Sequence, residues 1–423
     1  MKRRSSAQGA ITPYHALSIG SPILKRPHLC PKEQEVKTNS QESLVAKHSA
    51  VCVVIPTFNR PDYLVETIDS LLRQTRRPDR IIVADDGSGP ETASALERFD
   101  GRVEHKWAPN AGKSAALNRV VPEVREDFIW IFDDDDIADP LALETLLKPF
   151  EQHEADFSFG AYDHLVKDGD RWVTRPVPKL PKRDLGLKLA IIESCFIFQP
   201  GLLIKAPFLA STGPFNEALA RSQDYEMLLR LSRAGRGVDT NAIIFHQREH
   251  TGDRGPAHAR AKASKSNANW TTYDKIIFNG IYNMYDLDEF LGDRDHRCIG
   301  YDQATLRVQA LLNRAALMAK KGLWLLAAQD LRSAVIEPRM QAQGRLSFEL
   351  FESVFAYKSA VLSDAKGFRV FMKAIRQLPL WASRMIRSRI SPGLYSSWRF
   401  ELRRRNASQA MAVSRYVAAL ALP

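Results

Sequence analysis

Between Val51 and Phe132 the chain alternates short, wholly apolar runs with stretches that carry apolar residues on one helical face. Val51-Cys-Val-Val-Ile55 contains no polar residue and reads as a strand buried on both faces. Pro61 then suits the first position of a helix whose Leu64, Ile68, Leu71 and Leu72 share one side. Ile81-Ile-Val-Ala84 predicts a second strand, Glu91 to Phe99 a helix, Val103 to Trp107 a short strand, Lys113 to Val121 a helix and Phe128 to Phe132 another strand. Strands and helices alternating at this spacing predict an α/β fold built on a mostly parallel sheet. Ligands of such sheets bind beyond the carboxyl ends of the strands.

From about residue 270 the pattern becomes helical. Ala315, Gly322, Ala327, Ala334 and Pro338 approximate one tetratricopeptide-like helical hairpin, and stacking of such units needs about three. Residues 1–48 lack periodicity and are rich in Ser, Pro, Gln and Lys, as in a disordered tail. The expected organisation is a basic tail over 1–48, a catalytic domain over 49–260, a connection over 261–300 and a helical region over 301–423.

Charge sharpens this division. The net charge of +11 over 423 residues is carried by the two ends. Residues 1–48 are net +5, residues 366–405 are net +10, and the block between them is net −5. That distribution argues against a nucleic-acid-binding core. The four Cys are far apart with no CxxC pair, which points away from a disulfide scaffold and towards a reducing compartment. No run of about 18 uncharged apolar residues predicts a membrane-spanning helix, and the basic start is not followed by the apolar segment of a secretory signal.

The candidate chemistry sits after the strands. Asp133-Asp134-Asp135-Asp136 follows an apolar strand directly, and four adjacent carboxylates at a sheet edge call for a hard cation such as Mg²⁺ or Mn²⁺. Asp85-Asp86 precedes Gly87-Ser88 at the end of another strand. In Asn110-Ala-Gly-Lys-Ser114 a Gly precedes Lys-Ser at a helix start, as in anion-binding loops, but Trp107 stands where a Walker A loop needs its first Gly.

Val53-Val-Ile-Pro-Thr-Phe-Asn-Arg60, Val83-Ala-Asp-Asp-Gly-Ser88, Asn110-Ala-Gly-Lys113 with Asn118, and Phe132-Asp-Asp-Asp-Asp136 occur in an order and spacing that resembles family 2 glycosyltransferases of the GT-A fold. Gln199-Pro-Gly-Leu-Leu-Ile-Lys205, Gly213-Pro-Phe-Asn-Glu217 and Ser222-Gln-Asp-Tyr-Glu-Met-Leu-Leu-Arg230 extend the resemblance, which covers about residues 50–255. The resemblance implies an inverting enzyme that uses a nucleoside diphosphate sugar, UDP-linked first, with GDP or dTDP as alternatives. It implies that Pro56, Thr57, Asn59, Arg60 and Asp85 or Asp86 hold the base and ribose, with Lys113 close to the nucleotide. Asp133 and Asp135 match the metal-binding DXD positions, Asp135 foremost, while Asp134 and Asp136 lie towards the donor sugar. Asp224 matches the catalytic base. Arg248 and His250 match a mobile R-x-H segment near the diphosphate, with His250 as a further metal ligand. Two positions depart from the family pattern: Gln223 replaces Glu and Asn216 replaces Asp.

At the start of a helix, Asp224 is expected to be held ionised by the helix dipole. A glycan or lipid-linked acceptor, in cell-surface polysaccharide or glycolipid synthesis, is the implied partner, and the expected location is cytoplasmic. Aromatics interleaved with Arg over 366–405 suggest peripheral contact with the inner face of a membrane. Two other readings stay open on the sequence: a sugar nucleotidyltransferase, and a non-enzymatic interaction protein with a decayed catalytic domain.

Overall fold

The computed structural model describes residues 49–152, 155–169, 171–177, 185–249, 266–297, 302–341, 346–355, 364–403 and 407–421. The tail expected over 1–48 lies outside them. Ser49–Pro423 form a compact unit.

Among the described residues nine strands make one sheet: β1 (Val51–Thr57), β2 (Arg80–Asp85), β3 (Glu104–Trp107), β4 (Phe128–Ile131), β5 (Ile137–Ala138), β6 (Phe157–Asp168), β7 (Arg171–Pro176), β8 (Leu202–Lys205) and β9 (Gly237–Arg248). Their order is β3-β2-β1-β4-β8-β6-β9-β5, with β7 paired to β6. The first four are mutually parallel. β8 enters antiparallel, β6 restores the direction of β4, and β9 runs parallel to β6. The mostly parallel sheet expected from the sequence is therefore present, with β8, β5 and β7 reversed.

The apolar runs explain why this sheet is covered on both faces. Successive side chains of a strand point to opposite sides. Val51, Val53 and Ile55 join one buried cluster, while Cys52 and Val54 join another. β2 divides in the same way, Ile81 and Val83 against Ile82 and Ala84, and so does β4, Phe128 and Trp130 against Ile129 and Ile131. The first cluster is closed by α1 (Pro61–Leu72), α2 (Pro90–Leu96) and α4 (Ala142–Gln152). The second is closed by α3 (Lys113–Val120), α5 (Leu187–Glu193), α6 (Ala206–Ser211) and α7 (Gln223–Ala234).

That second core does not stop at α7. It continues without a break through α8 (Ser266–Met284), past the short α9 (Asp293–Arg297), into α10 (Gln303–Lys320), α11 (Trp324–Ile336), α12 (Ala365–Gln377), α13 (Leu380–Arg403) and α14 (Ala407–Ala421). The expected helical hairpin is formed by α10 and α11. Gly322 closes α10 at φ 75°, and the N–H of Leu323 returns to the Met318 carbonyl at 2.9 Å, a helix end that favours glycine. Among the described residues no helix is long and apolar enough to cross a membrane.

Candidate active site at the carboxyl edge of the sheet

The acidic turn leaves the sheet at the end of β4 and is held from below by α1. On the buried side of that helix Thr67 and Ser70 interrupt the apolar stripe at i and i+3, and the buried Gln74 follows just past its C-terminal end. The Thr67 hydroxyl donates to the main-chain carbonyls of Asp134 (3.0 Å) and Asp136 (2.8 Å). Ser70 accepts the N–H of Ala138 at 3.1 Å, and Gln74 both donates to the Asp139 carbonyl and accepts the N–H of Leu143. Buried polar groups need partners, and these three meet theirs in the turn that carries the carboxylates. They are site-building residues that motif reading missed. The signal was present as polar residues on the apolar side of a predicted helix.

Three of the four carboxylates converge. Asp133, Asp135 and Asp136 each offer an oxygen within 4.8 Å of the others. Asp134 turns away: its Oδ2 accepts the Thr57 hydroxyl at 2.7 Å and its Oδ1 accepts the Arg60 guanidinium at 3.0 Å. The same Arg60 nitrogen donates to Asp135 at 2.8 Å, and the Lys113 ammonium reaches Asp133 at 2.5 Å. Burial and the neighbouring charge of Asp135 push the Asp134 carboxyl above its usual range, against the pull of Arg60. Arg60 and Lys113 show the converse. Burial would lower both, yet the surrounding carboxylates hold each above its ordinary value. Three mostly buried oxygen donors at this separation fit a hard divalent cation. Asp133 and Asp135 are thus together as the sequence suggests, Asp136 joins them rather than standing apart, and His250 lies outside the described residues.

The loops after β1, β2 and β3 are stitched to one another. Asp85 is fully buried, its Oδ1 accepting the N–H of Ser88 at 2.8 Å and its Oδ2 lying 2.8 Å from His105 Nε2. Asp86 accepts the N–H groups of Ala111 (2.9 Å) and Gly112 (2.7 Å) and the side chain of Asn110. Gly87 is obligatory between them, because a Cβ there would sit 2.6 Å from the Asn110 nitrogen. Asn59, left-handed at φ 54°, accepts the N–H of Gly89 and donates its own N–H to Ser88. Asp86 fixes the loop from which Lys113 projects. Both carboxylates are held in place by the chain's own donors, and each keeps acceptor capacity for a ligand, since a carboxylate offers about four lone-pair sites.

Asp224 lies in the first turn of α7, two residues after Ser222, which is held at φ 60°. A non-glycine residue there is strained, and such strain gathers at functional sites. Asp224 Oδ1 accepts the N–H of Tyr225 at 2.8 Å. Burial raises its carboxyl above the ordinary range, with Lys113 opposing. The direction therefore differs from the one the helix dipole suggests, because desolvation outweighs it. Gln223, where the family pattern has Glu, keeps its Oε1 buried without a hydrogen-bond partner.

Arg248 is not in a loop. It is the last residue of β9 and 1% exposed, with its guanidinium over the rings of Tyr63 (4.7 Å) and Trp172 (5.1 Å) and 2.6 Å from Glu66. Its N–H donates to Asp136 Oδ1 at 3.1 Å, so the acidic turn is braced by β9 as well as by α1.

Residues 52–208 match the family model for glycosyl transferase family 2. The chain carries a family 2 glycosyltransferase domain. Proteins similar to this chain include an uncharacterised glycosyltransferase of Rickettsia conorii, 26% identical over 243 residues, which are 56% of this chain and 40% of the relative. A chondroitin synthase of Pasteurella multocida is 27% identical over 220 residues, 50% of this chain and 22% of that protein. The match thus spans less than half the length of either relative. Among solved structures, Staphylococcus aureus TarS in complex with UDP-GlcNAc superposes with a TM-score of 0.47 at 14% identity, covering 87% of this chain and 91% of that one. A mannosyltransferase of Pyrobaculum calidifontis in complex with GDP-Man and Mn²⁺ gives 0.42 at 15% identity, over 79% and 86%.

Proposed function

We propose that the glycosyltransferase transfers a sugar from a nucleoside diphosphate donor, UDP-linked in the first instance, to an acceptor hydroxyl with inversion, in the synthesis of a cell-surface glycan or glycolipid. The observation that carries this reading is the placement of Lys113. Its ammonium sits on Asp133 and within the field of both Asp135 and Asp224. This supports the candidate cation ligands and the candidate base working in one site, although they lie some ninety residues apart in sequence.

In this reading Asp133, Asp135 and Asp136 would hold Mn²⁺ or Mg²⁺, which would supply positive charge against the negative charge developing on the leaving diphosphate. Lys113 adds a second positive charge on that side. Arg60, shared between Asp134 and Asp135, keeps the turn together and can release Asp135 while retaining Asp134. Asp224 accepts the proton of the attacking hydroxyl, and its raised basicity suits that task.

Calorimetric titration of UDP-sugars with and without Mn²⁺ tests the assignment. Donor affinity should rise at least about tenfold with Mn²⁺, and Asp135→Ala should remove that gain. An Asp135→Ala chain that keeps the Mn²⁺-dependent gain would take the cation away from this turn. GDP- and dTDP-sugars run in parallel decide the base.

A further inference from the structure

The strongest unassigned feature lies in the helical region, on the outward sides of α12 and α13. α12 buries Phe368, Phe371, Met372 and Ile375. Lys366, Arg369, Lys373 and Arg376, at i, i+3, i+7 and i+10, form a solvent-exposed stripe on its opposite side. No acidic residue falls within this helix. α13 turns Ala382, Ile386, Ile390 and Leu394 inward. Its exposed Arg384, Met385, Tyr395, Arg399, Leu402 and Arg403 fall within an arc of about 100°. The lone acid of 366–405, Glu401, is 4% exposed and therefore does not offset this surface charge. Glu352, from a neighbouring segment, is paired with Arg389, and the Asp364 side chain caps α12 by accepting the N–H of Gly367.

Charge alone would suit any polyanion. The apolar residues interleaved with it narrow the choice. Five of the twelve large apolar side chains exposed among the described residues are Leu380, Met385, Tyr395, Leu402 and Met411, within 32 positions of chain. A soluble polyanion gains nothing from Met385, Tyr395 or Leu402. A bilayer interface gains from both, with Arg and Lys at the headgroups and apolar and aromatic tips below them. Because the inner sides of both helices are packed into the core, these surfaces stay outward and need no unfolding to engage.

We propose that the outer faces of α12 and α13 dock the protein on a lipid bilayer surface bearing anionic headgroups. Attraction from clustered basic residues is additive near such a surface and falls off within a Debye length. The inference is independent of the sugar-transfer reading: vesicle binding can fail while donor binding stands, and the reverse.

The test is co-sedimentation of the full chain with vesicles of phosphatidylcholine alone or with about one third phosphatidylglycerol. Binding should be at least about tenfold stronger to the anionic vesicles and should be released by about 0.5 M NaCl, a result that needs no variant. The combined change Lys366→Gln, Arg369→Gln, Lys373→Gln and Arg376→Gln should weaken it about tenfold or more. Tyr395→Ser with Leu402→Ser should weaken it several-fold while leaving heparin binding unchanged. Far-UV circular dichroism and donor affinity should match the parent in both variants. Equal binding to the two vesicle types, or no vesicle binding, overturns the proposal. Heparin binding as strong as vesicle binding, with vesicle binding unmoved by the Tyr395/Leu402 pair, would make this a site for a soluble polyanion and equally overturn it.

Discussion

Two clusters of charge lie partly or wholly out of water in this protein, and they are built on opposite plans. In the helical region opposite charges alternate. Lys321 Nζ lies 3.4 Å from Asp274, Lys320 Nζ 3.5 Å from Glu193, and Arg314 2.8 Å from Asp330. Aromatic rings overlie two of these cations, Phe278 at 4.2 Å from Lys321 and Tyr282 at 4.2 Å from Arg314. At the sheet edge like charges converge instead. Three carboxylates share one small volume, and one Arg60 nitrogen is divided between Asp135 of that group and the neighbouring Asp134. The first plan neutralises charge for good and holds helices together. The second leaves carboxylates competing for positive charge, the condition under which an incoming cation binds.

Four substitutions and one titration separate the plans. The largest effect is expected at Asp224: Asp224→Asn should lower kcat by up to about 10⁴-fold with donor affinity nearly unchanged, measured by steady-state kinetics beside calorimetry. Near-parental turnover would mean that the base is elsewhere. Next, Asp274→Ala takes the carboxylate away from the buried Lys321 ammonium, which keeps the Tyr225 hydroxyl, and should cost about 3–5 kcal/mol in urea unfolding. Asp135→Asn at the sheet edge should change the stability of the metal-free chain by about 1 kcal/mol or less, since Arg60 keeps Asp134. Equal costs at the two positions would erase the distinction drawn here. The smallest effect is in pH dependence. Asp224 must be ionised to accept a proton and burial raises its carboxyl, so kcat should fall with decreasing pH at values above the ordinary Asp pKa of about 3.9. Lys113→Met removes the cation that opposes this shift and should move the acid limb to higher pH.

The sheet was legible in the sequence because its strands are uninterrupted apolar runs and its helices keep a 3.6 period. The carboxylates of the acidic turn were legible for the same reason, since they terminate such a run. What escaped were contacts made by the main chain or by distant segments. Asp86 also ties down the Asn110 loop through the N–H groups of Ala111 and Gly112, 25 and 26 residues away. Arg248 looked like a loop residue because β9 mixes polar and apolar positions irregularly along its length. The joining of α8 through α14 to the sheet's second core was equally hidden, because no periodicity records which surface a helix will meet.

That joining has a practical corollary for anyone recombining such enzymes. Tyr225, next to the candidate base, hydrogen-bonds Ile191 and Lys321 and packs on Phe278, and the Tyr285 hydroxyl reaches the Leu229 carbonyl. A chimera spliced near residue 260 would inherit every recognisable signature yet leave Tyr225 and its neighbours on α7 uncovered. Successful exchange has to carry the downstream helices along as part of the same module.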